Sequence, residues 1–161
     1  MQFEDYIPGM PPFAYQHIPV LSVDVPFPPN KQVVLLPQNI TQKRGVVRFM
    51  NIAVTTDEVT LYGVYDGRTK SASISDIYKL GYTFYQRDLP YITTYNTTDN
   101  IYSMVWVIDL PFTDNFTIYA VNNSGSPQTI IEFGADIYIF NKDFYKYLAE
   151  LKAGKDFSAP E

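Results

Sequence analysis

Gly45-Val-Val-Arg-Phe-Met-Asn-Ile-Ala-Val54, then Thr55-Thr-Asp-Glu58, then Val59-Thr-Leu-Tyr-Gly-Val-Tyr-Asp-Gly67 is the stretch that decides the fold. Val, Ile, Phe, Tyr and Thr dominate both apolar runs, and side chains of those shapes suit a pleated, half-buried surface. The stretch reads as two strands of a hairpin around a polar turn at Thr55–Glu58, closed by a second turn at Asp66-Gly67. Side chains alternate faces along a strand. Val47, Phe49 and Ala53 therefore share one face with Asn51, and Val46, Met50, Ile52 and Val54 share the other with Arg48. Neither face is cleanly polar, which predicts a central strand or one covered on its outer side.

The same style continues toward the C-terminus. Ser73 to Gly81 fits one short helical turn, with Ser75 as N-cap and Gly81 just past the end. Tyrosines crowd the next segment, and Pro90 with the run Asn96-Thr-Thr-Asp-Asn100 predicts that it is a loop. Tyr82, Tyr85, Tyr91 and Tyr95 are its candidate ligand-stacking residues. Ile101 to Leu110 carries the only Trp and is the strongest strand, and Asn115 to Val121 is another. Thr129–Phe133 and Ala135–Phe140 form a last pair, with Gly134 as a bulge or bend. Phe144, Tyr147, Leu148 and Leu151 then fall at i, i+3, i+4 and i+7, which predicts a helix over 141–152 with Asn141 as N-cap. Residues 155–161 are a polar tail.

Toward the N-terminus the chain changes character. Residues 1–30 hold seven of the 12 prolines, and proline fixes φ and removes a donor. The segment is therefore an extended, Pro-rich arm, with a short edge strand allowed over Ile18–Val25. Its apolar side chains, among them Phe3, Tyr6, Phe13, Tyr15 and Phe27, make it an assembly arm that needs a surface to lie on, its own domain or a neighbouring subunit. Lys31 to Leu36 is the next strand. Residues 31–154, with the C-terminal helix, then form a single domain.

At 161 residues, 46% of them hydrophobic, the chain is long enough to bury one sizeable core. Its net charge of −5, with Lys43-Arg44 as the one short basic cluster, argues against nucleic acid and against an anionic membrane surface. The absence of Cys excludes disulfides and thiolate metal sites. No signal peptide and no membrane-length apolar run is visible. The single His, His17, sits in the Pro-rich arm, where a catalytic base would need a rigidly held partner, and reads as a surface or packing residue; no phosphate-loop, dinucleotide or nucleophile-elbow motif occurs. Carboxylates at Asp66, Asp76, Asp109 and Glu132 fit strand ends and turns as well as they fit acid–base chemistry. Oxygen ligands at Asp99-Asn100 and Asp114-Asn115 match no calcium-loop spacing. Four glycosylation sequons occur, at Asn39, Asn96, Asn115 and Asn122.

The expectation is an all-β, antiparallel β-sandwich, jelly-roll-like, with the Pro-rich arm and one C-terminal helix. Its core is expected around Val47, Phe49, Leu61, Val105, Trp106, Ile118 and Ile139. No enzyme, cofactor or metal site is expected. The organisation as a whole, an arm ahead of a sandwich with few charges and no export signal, is similar to that of virion structural proteins. That similarity implies a capsid, decoration or tail component that forms homo-oligomers or binds other virion proteins, and reaches the particle or an extracellular surface by assembly. The alternative expectation is a carbohydrate-binding sandwich that stacks sugars on its tyrosine loop.

Overall fold

A computed structural model describes residues 15–36 and 44–140 of the chain. The predicted helix over 141–152, the polar tail and the arm residues Phe3, Tyr6 and Phe13 lie outside the described residues. The strands are β1 (Tyr15–Phe27), β2 (Gln32–Val34), β3 (Gly45–Val54), β4 (Val59–Tyr65), β5 (Arg68–Ser73), β6 (Pro90–Asn96), β7 (Ile101–Phe112), β8 (Phe116–Asn122) and β9 (Gln128–Phe140), with one helix, α1 (Ile74–Lys79), between β5 and β6. All ladders between them are antiparallel. They build a five-stranded sheet in the order β1-β9-β3-β7-β6 and a four-stranded sheet in the order β2-β8-β4-β5. The inner faces of the two sheets share one apolar core, as a sandwich requires. Val47, Leu61, Trp106, Ile118 and Ile139 are in it, as expected from the sequence.

The expected hairpin between β3 and β4 is not formed. β3 pairs with β7 and β9, whereas β4 lies in the other sheet between β5 and β8. The Thr55–Glu58 connection is an arch that carries the chain from one sheet to the other. Its polar groups are spent outward. The Thr55 amide donates to the Thr129 carbonyl at 3.1 Å, and Thr55 Oγ1 donates to Gln128 Oε1 at 2.7 Å. The Glu58 carbonyl accepts from the Asn123 amide at 2.8 Å, and the Asp57 carbonyl from the Ser75 amide at 3.1 Å. The arch is therefore riveted to β9, β8 and α1. The true hairpin is β4–β5, where Asp66 and Gly67 both have positive φ, 49° and 77°. Two such residues give the turn whose twist matches the strands it joins.

A register shift between Val47 and Phe49, present against both neighbours of β3, corrects the face assignment. Val47, Met50, Ile52 and Val54 all point inward, and Phe49 is turned to the outer side, only half-buried. One bulged residue exchanges the faces of everything beyond it. Val105 is likewise half-buried on the outer side of β7. Gly134 is not a bulge: β9 runs through it unbroken. It lies opposite Asn51 in register, and a Cβ there would collide with Asn51 Oδ1.

The expected arm meets the described structure only from Tyr15 onward, and there it is an edge strand of this chain's own sheet. Tyr15 pairs with Phe140 and Phe27 with Gln128, so the edge strand is longer than Ile18–Val25. Phe27 is 1% exposed and belongs to the core. The end of β1 is tied to the opposite sheet by Asn122, fully buried, whose Nδ2 donates to the carbonyls of Phe27 (2.9 Å) and Ser126 (2.8 Å). Its Oδ1 accepts from the Ser124 amide and hydroxyl at 2.9 and 2.6 Å. A buried amide with its donors and acceptor all partnered carries little desolvation cost.

Among the described residues, each sheet edge carries a feature that opposes strand addition. β1 contains Pro19 and Pro26, each lacking a donor, and Asp24 with φ 52°. β2 has three residues, and β5 exposes Arg68 and Lys70. Along β6, Tyr82 covers the edge by accepting from the Ile92 amide at 2.7 Å. Prolines, charges, shortness and a covering loop are the usual defences of an open sheet.

Candidate functional site

α1 begins at Ser73, whose hydroxyl accepts from the Asp76 amide; Ser73, not Ser75, is the N-cap. The register of the cap is set by where β5 ends, which the pair of serines in the sequence does not distinguish. At the other end the Gly81 amide donates to the Tyr78 carbonyl and the Tyr82 amide to the Ile77 carbonyl, at 3.0 and 3.2 Å. That pair of bonds with Gly81 at φ 77° is a Schellman stop. It sends the chain back along β6 as the segment from Leu80 to Leu89.

Both ends of this segment are fixed. Ile77 is buried and Tyr82 packs against the core. The Asp88 amide donates to the Val107 carbonyl at 3.1 Å, and the Asp88 carbonyl accepts from Trp106 Nε1 at 3.3 Å. Between these anchors the large apolar side chains face water: Leu80 and Phe84 are each 62% exposed, Tyr85 58% and Leu89 41%. With Tyr78 they account for five of the nine large exposed hydrophobic residues among the described residues. Single exposed apolar groups are ordinary, whereas a gathering of them on one short loop makes a candidate contact surface. Two more, Leu21 and Val23, stand on the outer side of β1.

The four candidate stacking tyrosines are placed differently from one another. The loop prediction failed for two of them: Tyr91 and Tyr95 lie in β6, with Pro90 as its first residue at the sheet edge, a place where proline costs no ladder bond. Tyr95 stacks on Tyr78 with centroids 3.6 Å apart and meets Tyr102 edge-on at 4.9 Å. Its hydroxyl donates to Asp57 Oδ2 at 2.6 Å. That hydrogen bond, with burial, pushes the Tyr95 phenol up to about 12. Tyr95 is thus a rivet between β6, α1 and the 55–58 arch. Tyr82 packs inward, Tyr91 is half-buried and meets Tyr85 in a T-shaped pair at 6.1 Å, and Tyr85 is otherwise open to solvent. The exposed aliphatic residues Leu80 and Leu89 do not stand out in the sequence. The signal was present in the absence of any buried partner for these residues once Gly81 ends the helix.

The remaining candidates are dispersed. Of the arm residues, the structure describes the backbone of Tyr15, in β1, and Phe27, in the core. His17 stacks on Tyr138 at 4.7 Å and bonds Asp136 Oδ1 at 3.1 Å. Asp66 lies in the β4–β5 turn, Asp76 in α1, Asp109 in β7 and Glu132 in β9. Asp66 accepts from the amides of Thr113 and Asp114 at 2.8 and 2.9 Å, and these bonds hold its carboxyl below the usual range. Asp109 pairs with Arg48 at 3.0 Å and Arg87 at 3.6 Å. At the Asn96–Asn100 turn, Asn96 Oδ1 accepts from the amides of Thr98 and Asp99, so this polar cluster forms a turn. Among the described residues, no three His, Cys, Asp or Glu side chains gather to hold a metal. No helix among them is long and apolar enough to cross a membrane. Compared with known proteins, the chain matches no family model and no curated sequence.

Proposed function

We propose that the chain is a non-enzymatic structural protein that self-assembles, as a capsid, decoration or tail component of a virus particle. On this reading the sandwich is jelly-roll-like, and the Pro-rich N-terminal arm expected over residues 1–30 takes part in assembly. The observation that carries it is the exposed apolar loop from Tyr78 to Leu89, in a chain only 18% of whose residues are charged. Such a surface is dehydrated at low cost and favours lasting protein contact. Its partners are then further copies or other proteins of the particle, and its location follows from assembly.

The carbohydrate-binding alternative draws support from Tyr85, whose ring is open to solvent. It draws none from Tyr95, whose ring and hydroxyl are engaged within the domain. Light scattering after size exclusion separates the two. Oligomers well above the 18.5 kDa chain mass favour assembly. A monomer that is retained on a polysaccharide matrix favours the sugar-binding reading and overturns the first.

A further inference from the structure

The two sheets differ in what they show to water. The five-stranded sheet carries charge on its outer side, with Arg48 paired to Asp109 and with Glu132 and Asp136 on β9. The outer side of the four-stranded sheet carries none. Buried and half-buried residues alternate along β4 and β8, and the ladders to β2 and β5 set the outward residues in register. Val34, Tyr119, Tyr62 and Ser71 form one row across all four strands. Gln32 and Thr60 lie in the row on one side of it, Thr117 and Thr69 in the row on the other. Arg68 and Lys70 of β5 stand opposite Tyr65 and Gly63, in rows that face the core. Among the described residues, charge returns only at the ends of the face, at Lys31 and Glu58 and at Asp66 and Asp114. The geometry points to a binding site for a neutral glycan on this face, with one pyranose ring laid against the free side of Tyr62 above Ser71.

The inference goes beyond the assembly reading and does not rest on it. Tyr62 and Tyr119 stack with centroids 4.7 Å apart and planes within 10° of parallel. Tyr62 therefore has a ring on one side, and on its other side only Ser71, small and exposed. A sugar ring takes the place there that Tyr119 takes on the first side. Its axial C–H groups meet the negative face of the tyrosine ring. The Ser71 hydroxyl lies beneath it and that of Thr69 next along the same side of β5, and a hydroxyl both donates and accepts, as the sugar's own hydroxyls require. The composition of the face selects among ligands. A polyanion needs clustered Lys and Arg to displace its counterions, and none is here. The face is about three strand spacings wide, roughly 14 Å, and Thr60 to Val64 span about the same length, so it offers on the order of 200 Å². A stable protein contact takes about 800 Å² from each partner, whereas a short run of sugar units needs far less. Sugar binding thus falls to a different face from the tyrosine loop, since Tyr85 lies beside β6 of the other sheet.

The test is native electrophoresis of the full chain through gels cast with xyloglucan, galactomannan or dextran, all neutral, and with heparin or polygalacturonate, both anionic. Three variants accompany the wild type: Tyr62→Ala, Ser71→Arg and Tyr85→Ala. Ser71 is exposed on an edge strand, so Ser71→Arg should keep the wild-type circular dichroism and Tm, while its guanidinium occupies the free side of the Tyr62 ring. The expected result is that at least one neutral polysaccharide retards the wild type and neither anionic one does. Tyr62→Ala and Ser71→Arg should each need about tenfold more polysaccharide for the same retardation, and Tyr85→Ala no more than the wild type. Passage of the wild type unretarded through all three neutral gels overturns the site. So does retardation that survives Ser71→Arg, or that is lost in Tyr85→Ala instead. Light scattering on the same samples keeps the assembly reading separate: an oligomer that Ser71→Arg dissociates assigns this face to a second copy and overturns the glycan site, whereas a retarded monomer upholds the site and overturns the assembly reading.

Discussion

Replacing Asn122 by Ala removes the amide that joins the end of β1 to the β8–β9 turn. Asn122 makes four hydrogen bonds, and they differ in what their loss leaves behind. The Ser126 carbonyl and the Ser124 amide and hydroxyl lie at partly exposed positions, where water replaces the lost partner. The Phe27 carbonyl belongs to a residue 1% exposed, and water does not reach it. Leaving one buried carbonyl unpaired costs about 1–3 kcal/mol, and the lost packing of a fully buried side chain adds about 1 kcal/mol. The expected loss is about 2–4 kcal/mol. With a urea m-value of about 2 kcal/mol/M, the unfolding midpoint should fall by roughly 1–2 M. Asn122→Asp should be worse than Asn122→Ala at pH 7. It puts a carboxylate against the carbonyls of Phe27 and Ser126 in a dry site, and such a group takes up a proton on folding. Its folded pKa is then above the unfolded one, so its deficit should shrink as the pH is lowered through that folded value. A loss for Asn122→Ala below about 0.5 kcal/mol, the scatter of an ordinary surface change, would refute the reasoning. The same burial predicts that Asn122-Asn-Ser124 carries no glycan even where the chain meets the transferase, which peptide mass mapping checks.

Phe27→Ala should destabilise by about 3–5 kcal/mol in urea unfolding, and removal of residues 1–14 should leave the cooperative transition intact. Removal of residues 1–30 should abolish it, because that cut takes β1 from the sheet. Tyr95→Phe loses the bond to Asp57 and should cost about 1–2 kcal/mol. The wild-type phenol is protonated in the fold up to about 12, against an ordinary 10.0, so part of the wild-type stability should vanish between those pH values and be missing from the variant's alkaline profile. Asp66 has a lowered pKa, so its stabilising effect is fully present above 3.8 and lost as the pH falls through the folded value. The thermal stabilities of Asp66→Asn and wild type should therefore differ at neutral pH and converge in acid.

Local features were legible in the sequence, and non-local ones were not. Asp66-Gly67 specified its turn because few other residues accept positive φ twice in succession. Gly81 marked the helix end for the same reason, and the runs around Val47, Leu61 and Ile118 declared strands through their shape. Nothing local distinguishes an arch from a hairpin, since Thr55–Glu58 is polar and short in either case. The difference lies in Thr129, Gln128 and Asn123, far along the chain, which take up its hydrogen bonds. Phe49 failed for a related reason: a single bulged position displaces the alternation, and no residue type announces it. Tyr91 and Tyr95 were assigned to a loop because Pro90 precedes them, yet an edge strand tolerates proline at its start. As for the candidate surface, the tyrosines were visible, but whether a ring is spent inside the domain or left outside depends on partners such as Tyr78 and Asp57. The exposed Leu80, Phe84 and Leu89 followed only from where the helix stops.

The pairing of β1 with β9 joins the first described strand to the last. At ribosomal speeds of about 5–20 residues per second, Phe140 is made roughly ten seconds after its partner Tyr15. β9 also pairs with β3, so throughout that interval two strands lack the neighbour that lies between them. The nascent chain thus holds an unfinished sheet with a strand-wide gap, and its last strand enters as a wedge. Entry of that last strand becomes the step at which the domain commits to its own β9 or captures that of another chain.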